Sequence, residues 1–494
     1  HPERDAAMVR VPTDFPDVQA ALDALAGLRL VSPVEVVVEP AHCGHVYSRA
    51  IVVNHPDGEM ITLRSEALDA DACALQFEGG ADGVVVAEGR ALGLLRGVEL
   101  SCVDGGSCGQ GVFLTDGASA EASDLRVSGF GGDGVHLEQG ARMNTSMLVS
   151  SNNGGYGVSA GYGATFVDAA GEAGEGVIAH DNTTGGVYAG LNAVLVARYV
   201  NVVGGIVGVE ADGGRVIVTG AHVERVTGNG ILATNSSWVA APYSTILDVG
   251  TATEGSACGV EGSSFVGTGV WAAAGSVVGI VDATISGAAE YGIVSYTGAY
   301  ISADRADVSG TLGGDGVFAD LGSSIRAWEA TSNDNCGNGF FSQRDSSMSI
   351  HGGEARRNGK NGIQSVSGFL GVGQTTSANN GGNGIDLSVG AVAAAEAGFT
   401  ADNNAGWGAM VEDSSVLRAL TGHIRGNDLG GVYATGMSWV NAAGATVTGN
   451  ADPALEASYD AAINAEDATL TGDVWPPTSP LETTPSSSSW VWMD

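Results

Sequence analysis

Asp402, His423 and Arg425 are the residues whose types and spacing could do chemistry together. Asp402 and Arg425 are 23 residues apart, and His423 lies two residues before Arg425. In a chain that winds with a period near 23, such residues become neighbours on adjacent parallel strands, roughly 4.8 Å apart. A carboxylate there could act as acid or base, and the imidazole could relay a proton near neutral pH. The guanidinium could neutralise a uronate. Glu354 and Arg356 fall in the same two lanes, two periods before Asp402 and so roughly 10 Å from it. That is at or beyond the outer limit for a glycosidase carboxylate pair, about 9.5 Å. The expected catalytic set is therefore Asp402, His423 and Arg425, with Glu354 and Arg356 on the substrate side. The competing reading is a set of cross-strand charge pairs on a wet face, which are common and weak. Trp407 and Trp439 join the substrate-binding candidates, because aromatic rings can stack on sugars. Tyr156, Tyr291 and Trp407 each precede a repeat glycine, so all three should project near one edge. Packing between coils or chains would explain them equally.

The elements that must position these residues follow from a repeat. A glycine followed mostly by an aliphatic residue recurs as Gly269-Val270, Gly292-Ile293, Gly316-Val317, Gly339-Phe340, Gly362-Ile363, Gly384-Ile385, Gly408-Ala409 and Gly431-Val432. The steps are 23, 24, 23, 23, 22, 24 and 23 residues, and Gly111, Gly134 and Gly157 step by 23 and 23. A fixed period of this size means stacked coils, none of which buries its own apolar face. Each coil should hold short strands between turns. Val34–Val38, Ile51–Val53 and Ile61–Leu63 read as the first strands. Residues 14–28 read as an amphipathic helix capped by Thr13 or Asp14, covering the open end. The longer steps from Gly157 to Gly186 and from Gly230 to Gly269 should be excursions from the coil. Four residues before the glycines stand Asn153, Asn182, Asn335, Asn358, Asn380, Asn404 and Asn427, and Asn450 continues the row. Asn tolerates left-handed turns, and stacked amides can hydrogen-bond from coil to coil.

Composition narrows the partners. The formal net charge is -36, from 56 acidic and 20 basic residues. Such a surface repels nucleic acid and anionic lipid, and leaves neutral glycans, cations or basic partners. No apolar run of about 18 residues occurs, so no membrane insertion is expected. The six cysteines contain no C-x-x-C pair. Cys102 with Cys108 and Cys43 with Cys73 could form disulfides, or the thiols could be buried and free. His42, Cys43 and His45 lack a fourth ligand, so no metal site is expected. Calcium is the one cofactor that the Asp-rich turns near Asp212 and Asp315 could hold, although turn chemistry explains them.

The coil period, the glycines and the Asn row resemble the right-handed parallel β-helix, or pectin-lyase-like, superfamily over roughly residues 30–470. The stretch from Asp14 through Val34–Val38 to Leu63 is similar to the entry module of phage tail-fibre and tailspike β-helices. The resemblance implies an all-β, single-stranded right-handed parallel β-helix solenoid with a short N-terminal capping helix. Residues 1–33 would be the entry segment, 34–473 the β-helix, and 474–494 an extended Ser/Thr/Pro-rich tail whose Trp490 and Trp492 could dock. It also implies an extracellular, cell-surface or virion protein binding polysaccharide, with a homotrimer as its assembly. A polysaccharide lyase or glycoside hydrolase, or a structural or adhesive spacer, are the alternatives. Gly422-His423-Ile424-Arg425 only echoes the Gly-His-Gly of polygalacturonases, and Lys360 is the only lysine. Both departures speak against catalysis of the family's kind.

Overall fold

The computed structural model describes residues 7–169, 176–252, 258, 265–395, 398–418, 421–475 and 489–493. The chain divides into two compact units, His1–Ser244 and Thr245–Asp494. Each is a parallel β-helix, as the period requires.

In unit 1 the strand Ala7–Val11 pairs in parallel with Val34–Val38, which pairs in turn with Ile61–Ser65. The helix between the first two spans Val18–Leu25 and buries Val18, Ala21, Leu22 and Leu25. It begins four residues later than the sequence suggests. Pro16 biases Phe15 away from helical geometry, and the Asp17 side chain caps the helix by accepting from the Ala20 amide at 2.8 Å. Thr13 instead donates its hydroxyl to Glu39, and the Asp14 carboxylate accepts from the Arg10 amide.

Unit 2 shows the coil most plainly. Val317–Asp320, Ser324–Arg326 and Thr331–Asn333 are the three strands of one turn. The next turn repeats them as Phe340–Gln343, Ser347–Ser349 and Glu354–Arg356. Registers such as Val317↔Phe340, Ser324↔Ser347 and Thr331↔Glu354 stack them in parallel, making a first, a second and a third face. Alternation sends Val317, Phe340, Ile363 and Ile385 inward, each at 0% exposure, so the core is a column of aliphatic rows.

The repeat glycines sit where that column is narrowest. A Cβ on Gly316 would overlap the Ser332 hydroxyl, and one on Gly362 would overlap that of Ser377. Close approach, not turn geometry, demands glycine there. The Asn row forms a ladder: Asn335, Asn358, Asn380, Asn404 and Asn427 each donate an amide N–H to the next Asn carbonyl oxygen, at 2.8–3.0 Å. Asn153 does the same to Asn182 in unit 1. The ladder residues are not the left-handed ones. That conformation falls on the residue just before each, including Asn152, Asp334, Arg357, Asn379 and Asn403.

Three disulfides close Cys43–Cys73, Cys102–Cys108 and Cys258–Cys336, and no described cysteine is free. The excursion in unit 2 starts and ends as an antiparallel pair, Thr251↔Val266 and Ala252↔Phe265. Most residues between those strands, and residues 170–175 of the earlier excursion, lie outside the described residues. So do residues 476–488 of the expected tail. Val474–Trp475 and Trp490–Trp492 add strands to the first and second faces. No helix among the described residues is long and apolar enough to cross a membrane.

Candidate functional site

The third face of unit 2 carries the charged residues singled out by spacing. One row reads Glu354, Thr376, Thr400, His423 and Thr446, and the other Arg356, Ala378, Asp402, Arg425 and Thr448. Asp402 and Arg425 are thus neighbours, with His423 beside them. Arg425 donates from Nε and Nη2 to one oxygen of Asp402, at 3.1 and 2.9 Å. The Arg425 side chain is 67% exposed and lies over the Asp402 side chain, which is 12% exposed. The second Asp402 oxygen is buried with no hydrogen-bond partner. Glu354 is paired at 3.2 Å with Arg356 of its own strand and does not reach toward Asp402. The four charged groups form two closed ion pairs, and His423 stands exposed at their edge.

Trp407 and Trp439 lie elsewhere, on the first and second faces. Trp407 stacks on Tyr433 of the next coil, with ring centroids 5.1 Å apart. Tyr156 stacks likewise on Tyr188, and Tyr291 on Phe318, which continues to Phe341. Within its own unit, each of these residues meets a ring of the following coil. Glycine makes the room: a Cβ on Gly314 or Gly430 would collide with the Tyr291 or Trp407 ring, and one on Gly185 would crowd the Tyr156 ring. These rings are spent largely on each other.

The second face of unit 2 is different. One outward row reads Tyr300, Ser324, Ser347, Phe369, Val392, Val416, Trp439, Ala462 and Trp490. Between Tyr300 and Phe369 the two serines leave a trough of about 250 Å³, bordered also by Arg326, Trp328 and Ser349. Trp328 is 48% exposed and Phe369 50%.

Unit 1 holds a titratable cluster that spacing did not flag. His136 Nδ1 donates to Asp133 at 2.8 Å, and its Nε2 lies 3.7 Å from Glu138. Ser159 of the next coil also bonds Asp133. Burial opposes the charged imidazole, but the Asp133 hydrogen bond and the charges of Asp133 and Glu138 outweigh it, and the pKa is raised. Nearby, Tyr156 donates its hydroxyl to Glu210, whose pKa burial pushes up. The signal was available: Phe113, His136, Ser159, Tyr188 and Glu210 each stand two residues after a glycine. Among the described residues, no group of three or more His, Cys, Asp or Glu side chains could hold a metal ion.

These registers place both units among parallel β-helix proteins. No protein-family model matches the chain, and no curated protein matches it in sequence. Among solved structures, the chain resembles the periplasmic alginate epimerase AlgG, at 9% identity and a TM-score of 0.29, over 98% of this chain and 83% of that one. It also resembles pectate lyase Pel9A, at 13% identity and 0.24, over 72% of each chain. A third is the A-module of the Azotobacter vinelandii mannuronan C-5 epimerase AlgE4, at 13% and 0.23, over 96% and 94%. Likeness this distant says nothing of activity, and the fold assignment rests on the strand pairings themselves.

Proposed function

We propose that the chain is an extracellular β-helix protein that binds polysaccharide along the second face of unit 2. One observation carries this reading: a single outward row there holds Tyr300, Phe369, Trp439 and Trp490, interleaved with small and hydroxyl-bearing residues at the strand spacing. Rings in one outward row, Phe369 and Trp490 exposed and Tyr300 and Trp439 half-buried, suit a linear, repeating ligand with apolar sugar faces. Three disulfides suit an oxidising compartment. Binding of a glycan panel by wild type, Phe369→Ala and Trp439→Ala tests it. Both variants should lose affinity; no binding to any glycan, or variants as good as wild type, rejects the reading. The finer form is a tail-fibre- or tailspike-like shaft that assembles as a homotrimer, supported by the likeness of the entry segment. Light scattering on the intact chain checks the trimer.

Polysaccharide cleavage is the second reading, favoured by His136 between two carboxylates and by the Asp402, His423, Arg425 group. New reducing ends or unsaturated products, lost in His136→Ala or in Asp402→Asn with His423→Ala, would establish it and say which group acts.

A further inference from the structure

We propose that the trough between Tyr300 and Phe369 is a subsite for one neutral hexose ring, and that it excludes uronates. This rests on the polysaccharide-binding reading and deepens it.

The shape comes from the strand lattice. Tyr300 and Phe369 are three strands apart on one row, roughly 14 Å between backbones. Ser324 and Ser347 occupy the two strands between and form a low floor, their hydroxyls 2.8 Å apart. The open trough of about 250 Å³ falls below the roughly 300–1,000 Å³ typical of drug-sized ligand sites, so it seats one ring of a longer chain. Unlike the stacked rings of the first face, Tyr300 and Phe369 have no ring partner among the described aromatic pairs.

Trp328 makes the side wall, and it is held in place. Its backbone N–H donates to Asp304 at 3.2 Å and its indole N–H to Ser349 at 2.8 Å. A wall fixed before binding loses little freedom when the sugar arrives.

Charge decides the class of sugar. Arg326 is the one cation among the residues lining the trough. Its Nε donates to Asp304 at 3.1 Å, and its Nη2 pairs with the same carboxylate and with Ser302. The site therefore has no uncompensated positive charge to offer a carboxylate, on a chain whose net charge is -36. What remains is hydroxyls and apolar rings, the chemistry of a neutral pyranose.

The test is titration calorimetry with neutral gluco-, manno- and galacto-oligosaccharides and with oligouronates. The proteins are wild type, Ser347→Phe, Trp328→Ala and Trp439→Ala, each checked by thermal melting. Ser347→Phe fills the trough with a strand-compatible ring, and Trp328→Ala removes an exposed wall that the core does not need. Either should weaken neutral-sugar binding by roughly tenfold or more, with oligouronates binding to none of the proteins. Neutral binding that both trough variants keep and Trp439→Ala loses overturns the subsite while leaving the polysaccharide reading intact. Wild-type binding of oligouronates overturns the neutral assignment. Failure of wild type to bind either class removes both proposals.

Discussion

Removing the middle of the Asn ladder should cost far more than removing its end. Asn404 is fully buried. Its oxygen accepts from the Asn380 amide side chain at 2.9 Å and the Asn380 backbone N–H at 3.1 Å. Its own amide donates to Asn427 at 2.9 Å and to the Ser377 carbonyl at 3.2 Å. In Asn404→Ala the Asn380 side chain keeps bonds to Ala355 and Ser377, but the Asn380 backbone N–H is left buried and alone. An orphaned buried donor costs about 1–3 kcal/mol, and each of the three further lost bonds about 1, so the expected loss is roughly 4–6 kcal/mol. Asn450 ends the described ladder, is half-buried, and accepts from Asn427 where water can substitute. Asn450→Ala should cost about 1 kcal/mol. Stacked coils can open in parts, so amide hydrogen exchange around residues 380 and 427 is the right readout, beside denaturant melts. A loss below about 1 kcal/mol in Asn404→Ala, or equal losses in the two variants, would refute the view that the ladder satisfies buried backbone.

Arg425→Ala should lower the melting temperature more than Asp402→Asn does, since it strands a carboxylate whose other oxygen already lacks a partner; the reverse order would mean that the pair matters little. His136 has a raised pKa in the fold, so its stabilising effect is complete below its unfolded value, about 6.5, and is lost as pH rises through the folded value. The melting-temperature gap between wild type and His136→Asn should therefore be wider at pH 6 than at pH 8. Within unit 1, opening Cys43–Cys73 should destabilise more than opening Cys102–Cys108, because the sequence separations are 30 and 6. The chain-entropy relation gives about 3.7 against about 2.4 kcal/mol, checked by Cys→Ser pairs in denaturant unfolding.

The lattice was legible because it is periodic. Counting from one glycine placed Glu354, Asp402, His423 and Arg425 in lanes that the strand registers reproduce. Counting could not say which partner a charge takes. Glu354 had Arg356 within its own strand, so it closed locally, and a lane position does not show a rotamer. Neither could it pair Cys258 with Cys336, because the excursion around Cys258 leaves the period on which counting depends. The glycines were readable as marks but not in their cause. Their need lies in residues some sixteen positions on in the same coil, such as Ile285, Val308, Ser332 and Ile424, which a Cβ would meet. His136 stands apart for a simpler reason: the charged lanes of Glu354 and Asp402 lie before their glycines, and its row lies two residues after them.

A solenoid of equal steps also changes where recognition can arise. Every outward row has the same spacing, so spacing alone distinguishes no site from any other. What varies is side-chain size along a row, and relief appears only where size changes abruptly. Rings in succession, as at Phe318 and Phe341, close on each other and leave a ridge. Rings interrupted by serines, as from Tyr300 to Phe369, leave a depression with polar atoms at its base. Both rows contain aromatics, and the interrupted one leaves open volume between its rings. The order of large and small residues within a row, one period apart in sequence, is therefore the variable that gives this regular scaffold its surface relief.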